Sequence, residues 1–178
     1  MNGDCVMKGF PYSLDYDDPL LAELYDQSET ETADVELIRM LIGDSQPLRI
    51  LECFSGTGRI LIPLAEDGHV MVGIEIAPAM NARALAKIKK LKGNIQRRIT
   101  LIVQDVLEGC WGEGYNVVIL GGNAFYELPS ALSQERCIKL ALDSLAPGGR
   151  LFLDNEDKKE PLTQDTTGES WIGLKGKG

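Results

Sequence analysis

The stretch that decides the fold is Leu48-Arg-Ile-Leu-Glu-Cys-Phe-Ser-Gly-Thr-Gly-Arg-Ile60. Its first half, 48–54, is a short apolar run of the kind that forms a buried strand. Ser55, Gly56, Thr57 and Gly58 then make a turn, and 59–66 reads as a helix, with Pro63 early enough to be tolerated. Asp67-Gly68 stops that helix, and Val70-Met-Val-Gly-Ile-Glu-Ile76 supplies a second strand.

The same alternation continues downstream. Pro78 opens a helix running to about Leu91, closed by Gly93-Asn94. Strands are predicted over 99–105, 115–121 and 150–154. A helix beginning near 128–130 carries Ile138, Leu140, Ala141, Leu142 and Leu145 as a wide apolar face, and Ala146-Pro-Gly-Gly149 ends it. Strands apolar on both faces, alternating with helices, predict a doubly wound, mostly parallel α/β sheet of about five strands with helices on both faces. Upstream, Val35, Ile38, Leu41 and Ile42 fall at helical spacing and should pack on this sheet. The chain divides into an acidic, helical N-terminal segment (1–46), an α/β core (47–156) and a short polar tail (157–178).

Composition bounds the function. The chain has 178 residues, 44% of them hydrophobic, which suits one domain with a substantial core. Of its 27 acids and 18 bases, 11 acids and 2 bases lie in 1–46, so the whole formal charge of −9 is N-terminal. Such a chain repels phosphate backbones, which argues against nucleic acid as a partner. The basic run Arg83, Lys87, Lys89, Lys90, Lys92, Arg97 and Arg98 reads as a solvated helix face and loop, with an anionic partner as the alternative. No apolar stretch approaches the ~20 residues of a membrane span, and the first 16 residues lack the apolar centre of a secretory signal. Cys5, Cys53, Cys110 and Cys137 form no CxxC pair and a single histidine is present, so reduced thiols in a cytoplasm are expected rather than a zinc site.

Ligands of such sheets bind beyond the carboxyl ends of the strands. Three features converge there. The glycine turn after Glu52 lets a ligand approach the backbone, and its amides offer donors to an anionic group. Glu75 ends the second strand, 19 residues after Gly56, where an acid accepts both hydroxyls of a ribose. Asp105 ends the third strand, where a carboxylate accepts from a purine amine, or else caps a turn. Position 61 is Leu, so the G-x-G-x-x-G dinucleotide pattern is broken, and no GK[ST] follows. Glu52 repels a pyrophosphate but suits an ammonium, while free amides near Gly56 and Gly58 would receive a carboxylate. An adenosine joined to a zwitterionic amino acid is S-adenosyl-L-methionine.

These residues also carry a resemblance. Residues 50–60, Val72-Gly-Ile-Glu-Ile-Ala-Pro-Ala-Met80, Val103-Gln-Asp-Val106 and Leu145-Ala-Pro-Gly-Gly-Arg-Leu151 resemble the successive motifs of class I S-adenosylmethionine-dependent methyltransferases. Residues 16–26 resemble the N-terminal lid of its small-molecule members. The resemblance implies a Rossmann-like core with strand order 3-2-1-4-5. It implies that Glu52, Ser55, Gly56 and Gly58 surround the methionine part of the cofactor. Glu75 would hold the ribose and Ile76 lie on the adenine, with Asp105 and Val106 flanking its amine. Gly121 and Asn123 would lie near the transferable methyl, and Tyr16 or Tyr25 close over the site.

Two departures stand out. The family's first glycine is Phe54 here, which narrows the pocket on that side. The family continues after strand five with a helix and two further strands, for which 156–178 is short. That leaves strand five as an apolar edge inviting a second copy. The expected function is methyl transfer from S-adenosylmethionine to a small-molecule acceptor. The competing expectation is a truncated, non-catalytic cofactor-binding or assembly module. No general base is assigned: Asn123, Tyr126 and Glu127 lie on the right side, and His69 is expected in a solvent-facing loop at the opposite end of strand two.

Overall fold

The computed structural model describes residues 17–44 and 47–154. Two helices come first, α1 (Pro19–Ser28) and α2 (Ala33–Ile42), followed by β1 (Arg49–Cys53), α3 (Leu61–Glu66), β2 (Val70–Glu75), α4 (Pro78–Ile88) and α5 (Gly93–Gln96). Then come β3 (Ile99–Val103), β4 (Tyr115–Leu120), a 3₁₀ turn (Ala124–Glu127), α6 (Ala131–Ser144) and β5 (Leu145–Leu153). The five strands pair in parallel in the order β3-β2-β1-β4-β5. This is the doubly wound sheet that the sequence predicts.

The strand alternation sorts two apolar layers. Ile50, Met71, Val117 and Ile119 face Val35, Ile38 and Ile42 of α2, Leu61 and Leu64 of α3 and Ile88 of α4. Leu51, Cys53, Val72, Ile74, Val118 and Leu120 face Cys137 and Ala141 of α6, with Trp111 and Tyr115 beside them. Neighbouring residues on β1 thus serve opposite layers, as period-two geometry requires. Because Glu52 follows Ile50 by two and Glu75 follows Met71 by four, both carboxylates belong to the α2–α3–α4 face.

Several local expectations are corrected. Leu41 is half exposed rather than part of the packing face of α2; its carbonyl instead accepts from Arg150 Nη1. Helix α4 ends at Ile88, and Gly93-Asn94 opens the short α5, because Lys92 is extended and restarts the turn. Strand β5 begins at Leu145, before the glycines, and is interrupted where 146–149 bulges out between the pairs Tyr115↔Leu145 and Val117↔Arg150. His69 does lie in the turn before β2 but is buried, not solvent-facing, since its Nδ1 accepts the Leu48 amide at 3.1 Å. The tail 157–178 falls outside the described residues.

Helix α1 is held on α4. Asp18 caps it by accepting from the Leu20 amide at 2.8 Å, and Pro19 fits the first turn. Ala22 packs against Ala77 and Met80, and Asp26 receives Arg83 and Lys87, both at 2.9 Å. Two members of the basic run are therefore spent on α1. A third, Arg98, donates to the Ala65 carbonyl at 3.3 Å.

Candidate functional site

The site lies where β1 and β2 end. Phe54 has φ 61°, a left-handed conformation that suits glycine, followed by Gly56 at 50° and Gly58 at 80°. The chain can therefore reverse sharply and enter α3 with little side chain in the way. Phe54 packs its ring against the layer of Cys53, Ile74, Val106 and Phe125. That is the opposite layer from the one on whose side Glu52 and Glu75 lie. Gly73 of β2, paired with Glu52, makes room for the turn: a Cβ there would stand 2.7 Å from Ser55 Oγ and 2.5 Å from Leu61 Cδ1.

Glu75 ties the two strand ends together. Its Oε2 accepts the Gly56 amide and its Oε1 the Ala77 amide, each at 2.8 Å. Each carboxylate oxygen retains a second lone pair for a further donor. The Gly58 amide donates to the Ser55 carbonyl at 2.8 Å. The amides of Gly56 and Gly58, expected to be free for a ligand carboxylate, are thus both consumed by the turn itself.

Glu52 is buried between Gly73 and Ile119 on the neighbouring strands, and its Oε2 has no partner. Burial pushes its carboxyl well above the usual carboxylate range; Arg59 pulls the other way, while Asp34, Glu75 and Asp154 add repulsion. Ser55 Oγ is likewise buried without a partner. Orphaned polar atoms at a glycine turn are what a polar ligand would satisfy, and the negative surroundings select one bearing positive charge.

Arg59, unremarked by the sequence reading, organises the wall above. Its Nη1 and Nη2 grip Asp34 at 2.8 and 2.6 Å, and Nη1 also donates to the Glu31 carbonyl at 2.9 Å. The fork holds the Asp34 carboxyl below its ordinary range against the opposing effect of burial. Tyr25 of α1 adjoins the same guanidinium and senses Glu52; burial raises its hydroxyl, with Arg59 opposing. The structure thus brings Tyr25 beside Arg59, on the side of Glu52, whereas Tyr16 lies outside the described residues.

The remaining positions are at adjacent strand ends. Asp105 Oδ1 accepts the Leu107 amide at 2.8 Å, so the turn-capping alternative holds for that oxygen. Val106 is buried and Ile76 is 53% exposed. Gly121 follows β4 directly, packed so that a Cβ would touch Ile60 Cδ1 at 3.0 Å. Asn123 is left-handed at φ 60°. Asp154, also overlooked, receives the Gly122 amide at 2.9 Å and the Asn123 amide at 3.3 Å, pinning this loop to the end of β5. Asn81 was overlooked too: its Nδ2 donates to the Glu75 carbonyl at 3.0 Å. Its signal was a polar residue on the otherwise apolar face Met80, Ala84, Ile88. Burial raises the Glu127 carboxyl. Among the described residues no cluster of His, Cys, Asp and Glu could hold a metal ion.

Comparison with known proteins agrees with this geometry. A family model described as a methyltransferase domain matches residues 50–149. Glycine N-methyltransferase of Rattus norvegicus is 28% identical over 122 residues, 61% of this chain and 40% of that protein. The chain thus spans well under two thirds of that curated relative. Among solved structures, the CcbJ methyltransferase from Streptomyces caelestis superposes with TM-score 0.69 at 22% identity, over 80% of this chain and 58% of its own. The glycopeptide N-methyltransferase MtfA, complexed with S-adenosyl-L-methionine, gives TM-score 0.62 at 20% identity, over 68% and 53%.

Proposed function

Because the chain belongs to the methyltransferase-domain family, we propose that it binds S-adenosyl-L-methionine at the ends of β1 and β2 and transfers its methyl group to a small-molecule acceptor. The observation that carries this is the pair Glu52 and Glu75 on one face of neighbouring strands, on either side of the glycine turn, one of them buried with an unpartnered oxygen. Glu75 suits a ribose diol through its spare lone pairs, and Glu52 suits an ammonium. Ser55, Gly56 and Gly58 would bound the methionine part. Ile76, Asp105 and Val106 would bound the adenine, and Gly121 and Asn123 the reacting methyl. Two of the similar proteins support the reading: MtfA was crystallised with this cofactor, and the rat relative is a glycine N-methyltransferase.

The bound sulfonium supplies a methyl already activated for in-line attack. What the chain contributes is position: the strand ends fix the carboxylates, and Asp154 fixes the loop after β4 on which Asn123 sits. Residues 17–44 serve as a lid on the α/β core, with Tyr25 and the Arg59–Asp34 pair closing it. Arg83 and Lys87, engaged by Asp26, leave less of the basic run for a nucleic acid. The free thiols of Cys53, Cys110 and Cys137 suit a cytoplasmic setting. No described helix is long and apolar enough to cross a membrane. Strand β5, at the sheet edge among the described residues, is where a second copy would add.

Transfer of labelled methyl from S-adenosylmethionine to a panel of small amines and alcohols tests the proposal, with Glu75→Ala as the control. Label incorporated by the wild type and lost in the variant is expected. Cofactor binding without transfer to any acceptor would leave the assembly-module reading instead.

A further inference from the structure

The loop after β4 reverses through two successive left-handed residues, Gly122 at φ 70° and Asn123 at φ 60°. A Cβ on Gly122 would meet nothing within 4 Å, so that glycine serves the turn of the backbone and not the space around it. Upstream, Gly121 is packed on Ile60; downstream, Phe125 is buried, with the Tyr126 ring edge-on at 5.3 Å. Between those anchors the Gly122 and Asn123 amides turn to one side, and successive N–H groups arranged in this way make a nest for an anion. The chain supplies that anion itself. Asp154 Oδ2 accepts from Gly122 at 2.9 Å and Oδ1 from Asn123 at 3.3 Å. The Asp154 amide in turn donates to the Leu120 carbonyl at 3.4 Å, one step past the last β4–β5 pair, Leu120↔Leu153. Two charge-assisted bonds thus hold a turn that the strand ladder does not reach. Asp154 is also near enough to add to the repulsion on Glu52, which puts the nest on the rim of the candidate site.

We propose that Asp154 is a positioning residue for methyl transfer: its carboxylate fills the Gly122–Asn123 nest and so sets where Asn123 stands against the transferable methyl. This rests on the reading of the loop after β4 as the methyl end of an S-adenosylmethionine site. Asp154 touches no reacting atom in this role and acts through the backbone of the loop. In-line attack tolerates little displacement, since about 1 Å of misplacement can cost about 100-fold in rate. An emptied nest releases two N–H groups and the turn they hold. The loss then falls on the rate of transfer and spares the ends of β1 and β2, where the nucleoside binds. A small free carboxylate can refill the nest.

The test compares wild type, Asp154→Ala and Asp154→Asn as full chains, on an acceptor that the wild type methylates from the amine and alcohol panel. Asp154→Ala should lower kcat by roughly 10- to 100-fold. Calorimetric titration should find its affinity for S-adenosylhomocysteine within about twofold of wild type. Sodium formate should raise kcat of Asp154→Ala several-fold and leave the wild type unchanged, with sodium chloride at equal concentration as the control. Asp154→Asn, which keeps one acceptor oxygen, should fall between, and it reads the same split of kcat from affinity should Asp154→Ala not fold. Wild-type kcat in both variants overturns the assignment. So does a matching loss of kcat and S-adenosylhomocysteine affinity, or a loss of kcat that formate leaves untouched, either of which makes Asp154 a structural cap. If S-adenosylhomocysteine does not bind the wild type, the site reading fails and takes this proposal with it. A wild type that binds it and methylates nothing removes the step that Asp154 is proposed to position. Where the wild type both binds and transfers, a missing split costs only the Asp154 role.

Discussion

The Glu75 carboxylate accepts the Gly56 amide at 2.8 Å, fastening the turn after β1 to the end of β2. One residue thus holds the turn's shape and presents its remaining lone pairs to the space above it. Glu75→Ala should remove the acceptor for the Gly56 and Ala77 amides together, costing about 2–4 kcal/mol by denaturant unfolding. Nucleoside affinity should disappear in the same variant. Retained affinity would place the ribose elsewhere.

Phe54 makes a sharper stability prediction. At φ 61° a residue with a Cβ is strained by about 1–2 kcal/mol, which glycine escapes. Truncation to either Ala or Gly removes the ring's packing. Phe54→Gly should therefore be the more stable of the two by about 1 kcal/mol, the reverse of the usual order inside regular structure. Paired urea melts read the difference, and a more stable Ala variant would refute it.

Glu52 couples ligand binding to protons. Its carboxyl is raised in the folded chain, so the folded state holds a proton that the unfolded state gives up near pH ~4.5. Stability of the ligand-free chain should fall as pH rises above that value, and Glu52→Gln should flatten the trend. A cationic ligand favours the ionised form, so its binding should release a proton. Titration in buffers of different ionisation enthalpy detects that release; a buffer-independent enthalpy would contradict it.

His69 acts in the opposite sense. Burial lowers its imidazole, with Asp67 opposing, and its Nδ1 must stay unprotonated to accept from Leu48. The unfolded state protonates first, so the stability it contributes is whole above pH ~6.5 and declines as pH falls below it. A His69→Phe variant, lacking the acceptor, should be less stable at pH 8 and lose less between pH 8 and pH 5. An unchanged pH slope would remove His69 as the cause.

The sheet was legible because strands buried on both faces leave unbroken apolar runs such as Val117-Val-Ile-Leu120, and because glycine turns punctuate them. Glu52 and Glu75 stood out as acids in otherwise apolar strands, and the fold brings both to one face, where Glu75 accepts the Gly56 and Ala77 amides and Glu52 is buried. Arg59, Asp34 and Asp154 were not legible. Their partners lie 25 residues away for Arg59–Asp34 and 31 or 32 away for Asp154, and only the packed fold sets those pairings. The supposed free amides of the glycine turn failed for the same reason, since Gly56 finds its acceptor on another strand 19 residues on. His69 misled because a polar residue beside Asp67-Gly68 reads as solvated until the backbone of Leu48 arrives.

The most direct test is calorimetric titration of the wild-type chain with S-adenosylhomocysteine, run beside NADH as a nucleotide of the wrong charge. One saturable site for S-adenosylhomocysteine, with no heat from NADH, is the predicted result. Saturable binding of NADH with none of S-adenosylhomocysteine would contradict it.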